Sequence, residues 1–106
     1  MLVIPASLRG IYDQVLRVAK TFGPVEEDPK KTSIHLVRRT AFAGVATRRD
    51  ALVLTLKSDR NIADARIHKA EQASAHRWHL EVRLKDVADV DAQLKGWLQS
   101  AYELAG

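Results

Sequence analysis

The 106-residue sequence contains no cysteine, which excludes disulfides, thiolate zinc sites and a cysteine nucleophile and leaves the redox compartment open. No apolar run approaches the roughly 18 residues of a membrane span, and the apolar start Leu2-Val3-Ile4 is too short for a secretory signal. A cytoplasmic protein without membrane association is expected. Glycine-rich phosphate loops, a nucleophile elbow and the His-Glu zinc-protease motif are all missing. Ser7, Ser33, Ser58, Ser74 and Ser100 carry no nucleophile signature, and Asp59, Asp64 and Glu71 are not spaced as an acid and base pair. No catalytic residue and no cofactor are therefore expected, although a triad assembled in space would leave no such trace. Repeats, linkers and low-complexity tracts are absent too, so residues 1–106 read as one domain.

What is present is a pattern of periods. Leu8, Ile11, Tyr12, Val15, Leu16, Ala19 and Phe22 recur at helical spacing and predict a helix from about Leu8 to Phe22, with Ser7 as its cap and Gly23-Pro24 as its stop. From Val25 to Lys85 the period becomes two. Short strands are expected at Val25–Glu27 and Ser33–Arg38, divided by an Asp28-Pro29-Lys30-Lys31 turn. Thr40–Thr47 reads as a third strand, in which Gly44 suggests a bulge or a close backbone approach. Ala51–Lys57 places Leu52, Leu54 and Leu56 on one face, and after a polar loop a strand through Ile67 follows. Arg77–Lys85 turns Trp78, Leu80, Val82 and Leu84 inward. A last helix is expected over Ala88–Leu104, capped by Asp86 or Asp89, with Gly96 serving close packing. Trp78 and Trp97 fall on the apolar phase of their elements and read as core. The fold class is α+β: an antiparallel sheet of five or six strands with both helices on one face and the other face open.

Charge is divided unevenly over this scheme. Residues 30–85 hold thirteen Lys or Arg against five acids, an excess of eight, while the remainder holds four against eight. The mild net charge of +4 thus conceals a basic sheet and acidic helical segments. Lys30, Lys31, Arg38, Arg39, Arg48, Arg49, Arg77 and Arg83 are the candidate anion-binding residues, with His35, Lys57 and His79 on the same open face. Such a surface attracts polyanions by counterion release; it equally keeps an exposed sheet solvated. Val37, Val45 and Val53 are also expected on the open face, where they suggest a shallow cleft or a dimer interface. His76 and His79 point to opposite faces and cannot share an ion. His35 and His68 can join His79 across strands, but no carboxylate is expected beside them, and no metal site is expected.

The segments Phe22-Gly23-Pro24-Val25, Pro29-Lys30-Lys31-Thr32-Ser33-Ile34, Phe42-Ala43-Gly44-Val45 and Arg48-Arg49-Asp50-Ala51-Leu52, with Arg66-Ile67, Asp89-Val90-Asp91-Ala92, Trp97-Leu98 and Ala101-Tyr102-Glu103-Leu104, resemble an uncharacterised bacterial domain family. That family occurs alone, behind a zinc-ribbon segment, or at the end of chains labelled "predicted transport protein". More remotely, the chain is similar to the MmcQ/YjbR group. This implies a CyaY-like fold, a helix–sheet–helix arrangement, and the DNA-binding role suggested for that group. The zinc ribbon of some relatives is missing, and the first helix carries only Asp13 where frataxins carry an acidic iron-binding surface, so iron binding is not implied. The leading expectation is a non-catalytic module whose basic sheet face engages nucleic acid or another anionic partner. A protein-interaction or homodimerisation module, and a small-molecule-binding domain or unrecognised enzyme, are the alternatives.

Overall fold

The computed structural model describes residues 2–106. In chain order its elements are helix α1 (Ala6–Lys20), strands β1 (Glu26–Pro29), β2 (Ile34–Val37), β3 (Ala41–Thr47), β4 (Leu52–Ser58), β5 (Ile67–Ser74) and β6 (Arg77–Leu84), a 3-10 turn (Val87–Asp89) and helix α2 (Ala92–Leu104). The six strands form one antiparallel sheet in the order β1-β2-β3-β4-β6-β5. Four hairpin-type connections follow from the short turns. The exception is the 59–66 connection, which carries the chain from β4 past β6 to the sheet edge.

Both helices cover one face, as the two apolar stripes require. Leu8, Ile11, Tyr12 and Val15 of α1 and Leu94, Leu98, Ala101 and Tyr102 of α2 meet Ile34, Leu36, Val45, Leu52, Leu54, Leu56, Val82 and Leu84 in one core. Tyr12 is buried and donates its phenol to Glu27 Oε1 at 2.5 Å. Burial, first, and that hydrogen bond hold the phenol above its ordinary pKa. At the other end Tyr102 packs against Phe42 (5.2 Å between centroids) and Phe22 (5.8 Å) and donates to Pro24 O at 3.0 Å. Among the described residues, no helix is long and apolar enough to cross a membrane.

Several local expectations need correction. Helix α1 begins at Ala6 with Pro5 in the cap position, and Ser7 lies inside the first turn without capping it; a proline there has no N–H to leave unsatisfied and its fixed φ leads into the helix. The strand β1 continues through Asp28 and Pro29, so the turn shrinks to Lys30-Lys31-Thr32-Ser33. The final helix is divided. Asp86 and Asp89 form a reciprocal capping box around the 3-10 turn, and Asp91, accepting from Leu94 N at 2.9 Å, starts α2. Val45 faces the core, paired between Ile34 and Leu54. The reason is a register shift opposite Leu36–Val37, where Leu36 pairs with Ala43 and Val37 with Ala41. This leaves Phe42 as an extra residue that also turns inward, so the phase of β3 reverses after it.

Candidate anion-binding face

The open face is read off the register. One row across it runs Asp28, His35, Gly44, Thr55 and Glu81, and a second places Lys57 beside His79. A third pairs Ala46 with Val53 and Val53 with Arg83. Every residue that β3 presents to this face is small: Ala41, Gly44 and Ala46. The neighbouring strands present larger side chains, His35 and Val37 from β2 and Val53, Thr55 and Lys57 from β4. The result is a trough along β3, which opens into a depression of about 410 Å³ edged by His35, Lys57 and His79.

Gly44 forms the floor of this trough, and nothing in the chain requires a glycine there. Its φ is not positive, the bulge lies at Phe42, and a Cβ on it would rest 3.7 Å from His35 Cδ2, an ordinary contact. Lys57 is half-buried and is held over the trough by donating to Thr40 Oγ1 at 3.1 Å. Two carboxylates border the area and both are already paired. Asp28 Oδ2 lies 2.9 Å from Lys30 Nζ, and Glu81 lies 3.8 Å from Lys69 and 4.0 Å from His68.

The eight cations singled out from the sequence are not gathered on one patch. Successive hairpins turn at alternate ends of an antiparallel sheet. Arg38 and Arg39 therefore stand at the end of the sheet where β3 begins, together with Arg77 at the start of β6. Lys30, Lys31, Arg48 and Arg49 stand at the opposite end, roughly 23 Å away for a seven-residue strand. Arg83 alone lies on the face itself. Arg38 is committed to the helix side, where its guanidinium stacks on Tyr102 at 4.4 Å and donates to Tyr102 O at 3.0 Å. Arg48 and Arg77 donate to the carbonyls of Thr47 and His76. Lys31, Arg39 and Arg49 are exposed and make no ion pair among the described residues.

No group of three His, Asp or Glu among the described residues is placed to hold a metal. Glu81 does stand beside His68, contrary to the expectation that no carboxylate would, but a contact of 4.0 Å between one carboxylate and one imidazole is an ion pair and not a coordination set. Val37 and Val53 face outward as expected, Val53 being almost fully buried by its neighbours.

Two features lay beyond sequence reasoning. The trough was hidden by the bulge at Phe42, since the small stripe Ala41, Gly44, Ala46 appears only when the phase reversal is known. Arg66 is the second. Its guanidinium lies 5.0 Å over the Trp97 ring, contacts Asp64 and Asp91 at 3.2 and 3.1 Å, and donates to Asp89 O and Gln93 Oε1. Trp97 is consequently a half-buried platform for Arg66 and not an interior residue, and Trp78, at the far end of β6, is also only half-buried.

No curated protein and no solved structure matches the chain. A family model described as "Domain of unknown function (DUF5655)" matches residues 4–105. With nearly the whole helix–sheet–helix unit inside that match, the chain belongs to the DUF5655 family.

Proposed function

We propose that this domain is a non-catalytic binding module that lays an extended anionic chain, nucleic acid foremost, along the trough of β3. The observation that supports this is the placement of charge relative to the trough. Its floor is Ala41, Gly44 and Ala46, its walls carry His35, Lys57 and His79, and an exposed arginine with no ion pair among the described residues adjoins each end of the same strand, Arg39 before it and Arg49 after it. A polyanion lying there meets cations at both ends and donors along its length, while the paired states of Asp28 and Glu81 limit repulsion from the sides. None of the six aromatic side chains lies on the open face: Tyr12 and Phe22 belong to α1 and its end, Phe42 and Tyr102 to the core, and Trp78 and Trp97 to the helix side. Stacking on Phe, Tyr or Trp is therefore not available, the imidazoles of His35 and His79 are the flat groups on the trough walls, and recognition runs mainly through backbone charge. The CyaY-like arrangement and the DNA-binding role that the YjbR resemblance implies, in a bacterial cytoplasm, are consistent with this reading.

The test is a salt titration of binding to short single-stranded DNA and RNA. With about four phosphate contacts, the logarithm of affinity should fall against log salt with a slope of about −3. Arg39→Gln with Arg49→Gln should reduce both affinity and slope. Gly44→Val should abolish binding by filling the trough while the domain stays folded. Absence of binding at low salt, or binding indifferent to these three substitutions, refutes the proposal.

A further inference from the structure

The helix side of the sheet holds a second concavity, separate from the trough. The 59–66 connection rises past β6 beneath α2, and between the two lies a cleft of about 540 Å³. Leu56 and Leu80, both buried, form its floor, and Trp97 and Ile62 form its walls. Asn61 and Ser100 stand at its mouth, and neither side chain makes a hydrogen bond among the described residues. The remaining polar groups are satisfied: Ser58 Oγ donates to Arg60 O and accepts from Arg60 N, and Arg60 Nε is paired with Asp59 at 3.0 Å.

Gly96 makes this cleft more than a surface irregularity. It occupies the interior of α2, where glycine costs about 1 kcal/mol relative to alanine. Its φ is not positive, and a Cβ built on it would meet nothing within 4 Å. Neither backbone conformation nor packing accounts for it. A side chain at that position would instead stand in the mouth of the cleft. The wall beside it is held rigid, because Arg66 covers the Trp97 ring and is itself fixed by Asp64 and Asp91.

We infer that this cleft is a binding site for a small, uncharged, flat heteroaromatic molecule. Its volume lies in the range of small-molecule pockets, and its lining joins the apolar Trp97 and Ile62 to the polar Ser58, Asn61 and Ser100, a mixture that suits a ring carrying heteroatoms. An aromatic wall favours a ring, which packs against the half-buried Trp97 and Ile62. Asn61 and Ser100 offer donors and acceptors to a heteroatom at its edge. An uncharged ligand fits best, since the lining's Arg60 already faces Asp59 at 3.0 Å and its Lys57 is turned to Thr40 on the opposite face.

The experiment is a titration of the whole isotopically labelled domain with indole, and separately with indole-3-carboxylate, followed by amide chemical shifts. Saturable shifts confined to residues 58–62 and 96–100, stronger for indole than for the carboxylate, are expected. Gly96→Leu should weaken indole binding by at least about tenfold through steric exclusion, while its thermal midpoint matches or exceeds that of the wild type. Ser100→Leu, at the cleft mouth, provides a second obstruction should the first perturb the helix. The inference is overturned by an absence of saturable shifts, by shifts centred on β3, by tighter binding of the carboxylate, or by indole binding unchanged in both variants. Because neither probe is a polyanion and neither variant touches the trough, failure here leaves the polyanion reading standing, and the reverse is also true.

Discussion

Three glycines in this chain show how differently one residue type can be determined. Gly23 follows α1 with φ +149, and a Cβ on it would meet Tyr102 Oη at 2.5 Å. Here both the backbone and the space demand glycine. Gly23→Ala should therefore cost about 2–3 kcal/mol, combining a strained φ with displacement of the tyrosine from its bond to Pro24; urea unfolding measures it, and a loss below half a kcal/mol would contradict the role assigned to Gly23. Gly44 and Gly96 meet neither demand: a Cβ on Gly44 would make an ordinary contact with His35, and one on Gly96 would meet nothing within 4 Å. The stop at Gly23-Pro24 was legible because chain termination is a local property of two residues. The other two are read from the sequence as a bulge or close backbone approach, for Gly44, and as a close packing contact, for Gly96. Space beside a glycine depends on strands and helices distant in sequence, so local pattern could not distinguish a filled position from a vacant one.

At the scale of elements, the start of α2 is organised by carboxylates and one guanidinium. Asp86 and Asp89 cap the 3-10 turn, Asp91 caps α2, and Arg66 joins Asp91 to Asp64 while covering Trp97. The carboxyls of Asp64 and Asp91 both lie below the ordinary value of 3.8. The causes are, first, bonds from the backbone N–H groups of Arg66 and Leu94 and, next, the Arg66 side chain. A carboxyl depressed in the folded state contributes stability above its unfolded pKa and loses it as pH falls through its folded pKa. Arg66→Ala should destabilise the domain by about 1–2 kcal/mol near neutrality through lost hydrogen bonds and the cation–π stack. The gap between variant and wild type should narrow as the medium is taken from about pH 5 to about pH 2. Thermal unfolding across that range tests this, and a gap constant with pH would mean that packing alone is responsible. The apolar stripes of both helices and the inward phase of β2, β4 and β6 were plain from the sequence, because period alone specifies them. The division of the last helix was not, since an aspartate compatible with a helix's first turn serves equally well as a cap. The inward turn of Val45 was not either, because a single bulged residue inverts every position beyond it.

The whole molecule is a lopsided layer. Helix α2 packs chiefly on β3 and β4 and α1 on β4 and α2, while β5 meets the core only through Ile67 at its start. A net charge of +4 is spread so that the two ends of the sheet are basic and the centre of the open face is small and mixed. The uneven charge was legible as composition, but its distribution followed from hairpin order, which alternates the turns between ends. The edges are protected by different means. Strand β1 is four residues long, acidic and ends in Pro29, and β5 carries two register shifts with Lys69 and Glu71 between them, features that discourage association with other sheets. Among the described residues, β5 is the only long strand in which every residue after the first is exposed. Beyond Ile67, which packs against the core, β5 has solvent on both sides and is held by the ladder to β6, whereas β4 lies between two ladders and beneath both helices. Backbone amides should accordingly exchange with deuterium along a gradient, fastest in residues 68–74 and slowest in 52–58, with opening free energies in β4 approaching that of global unfolding. Uniform protection across the six strands would mean that the sheet opens only as a unit. A graded pattern would make the β5 margin a segment that detaches and reseats while the rest of the domain remains intact.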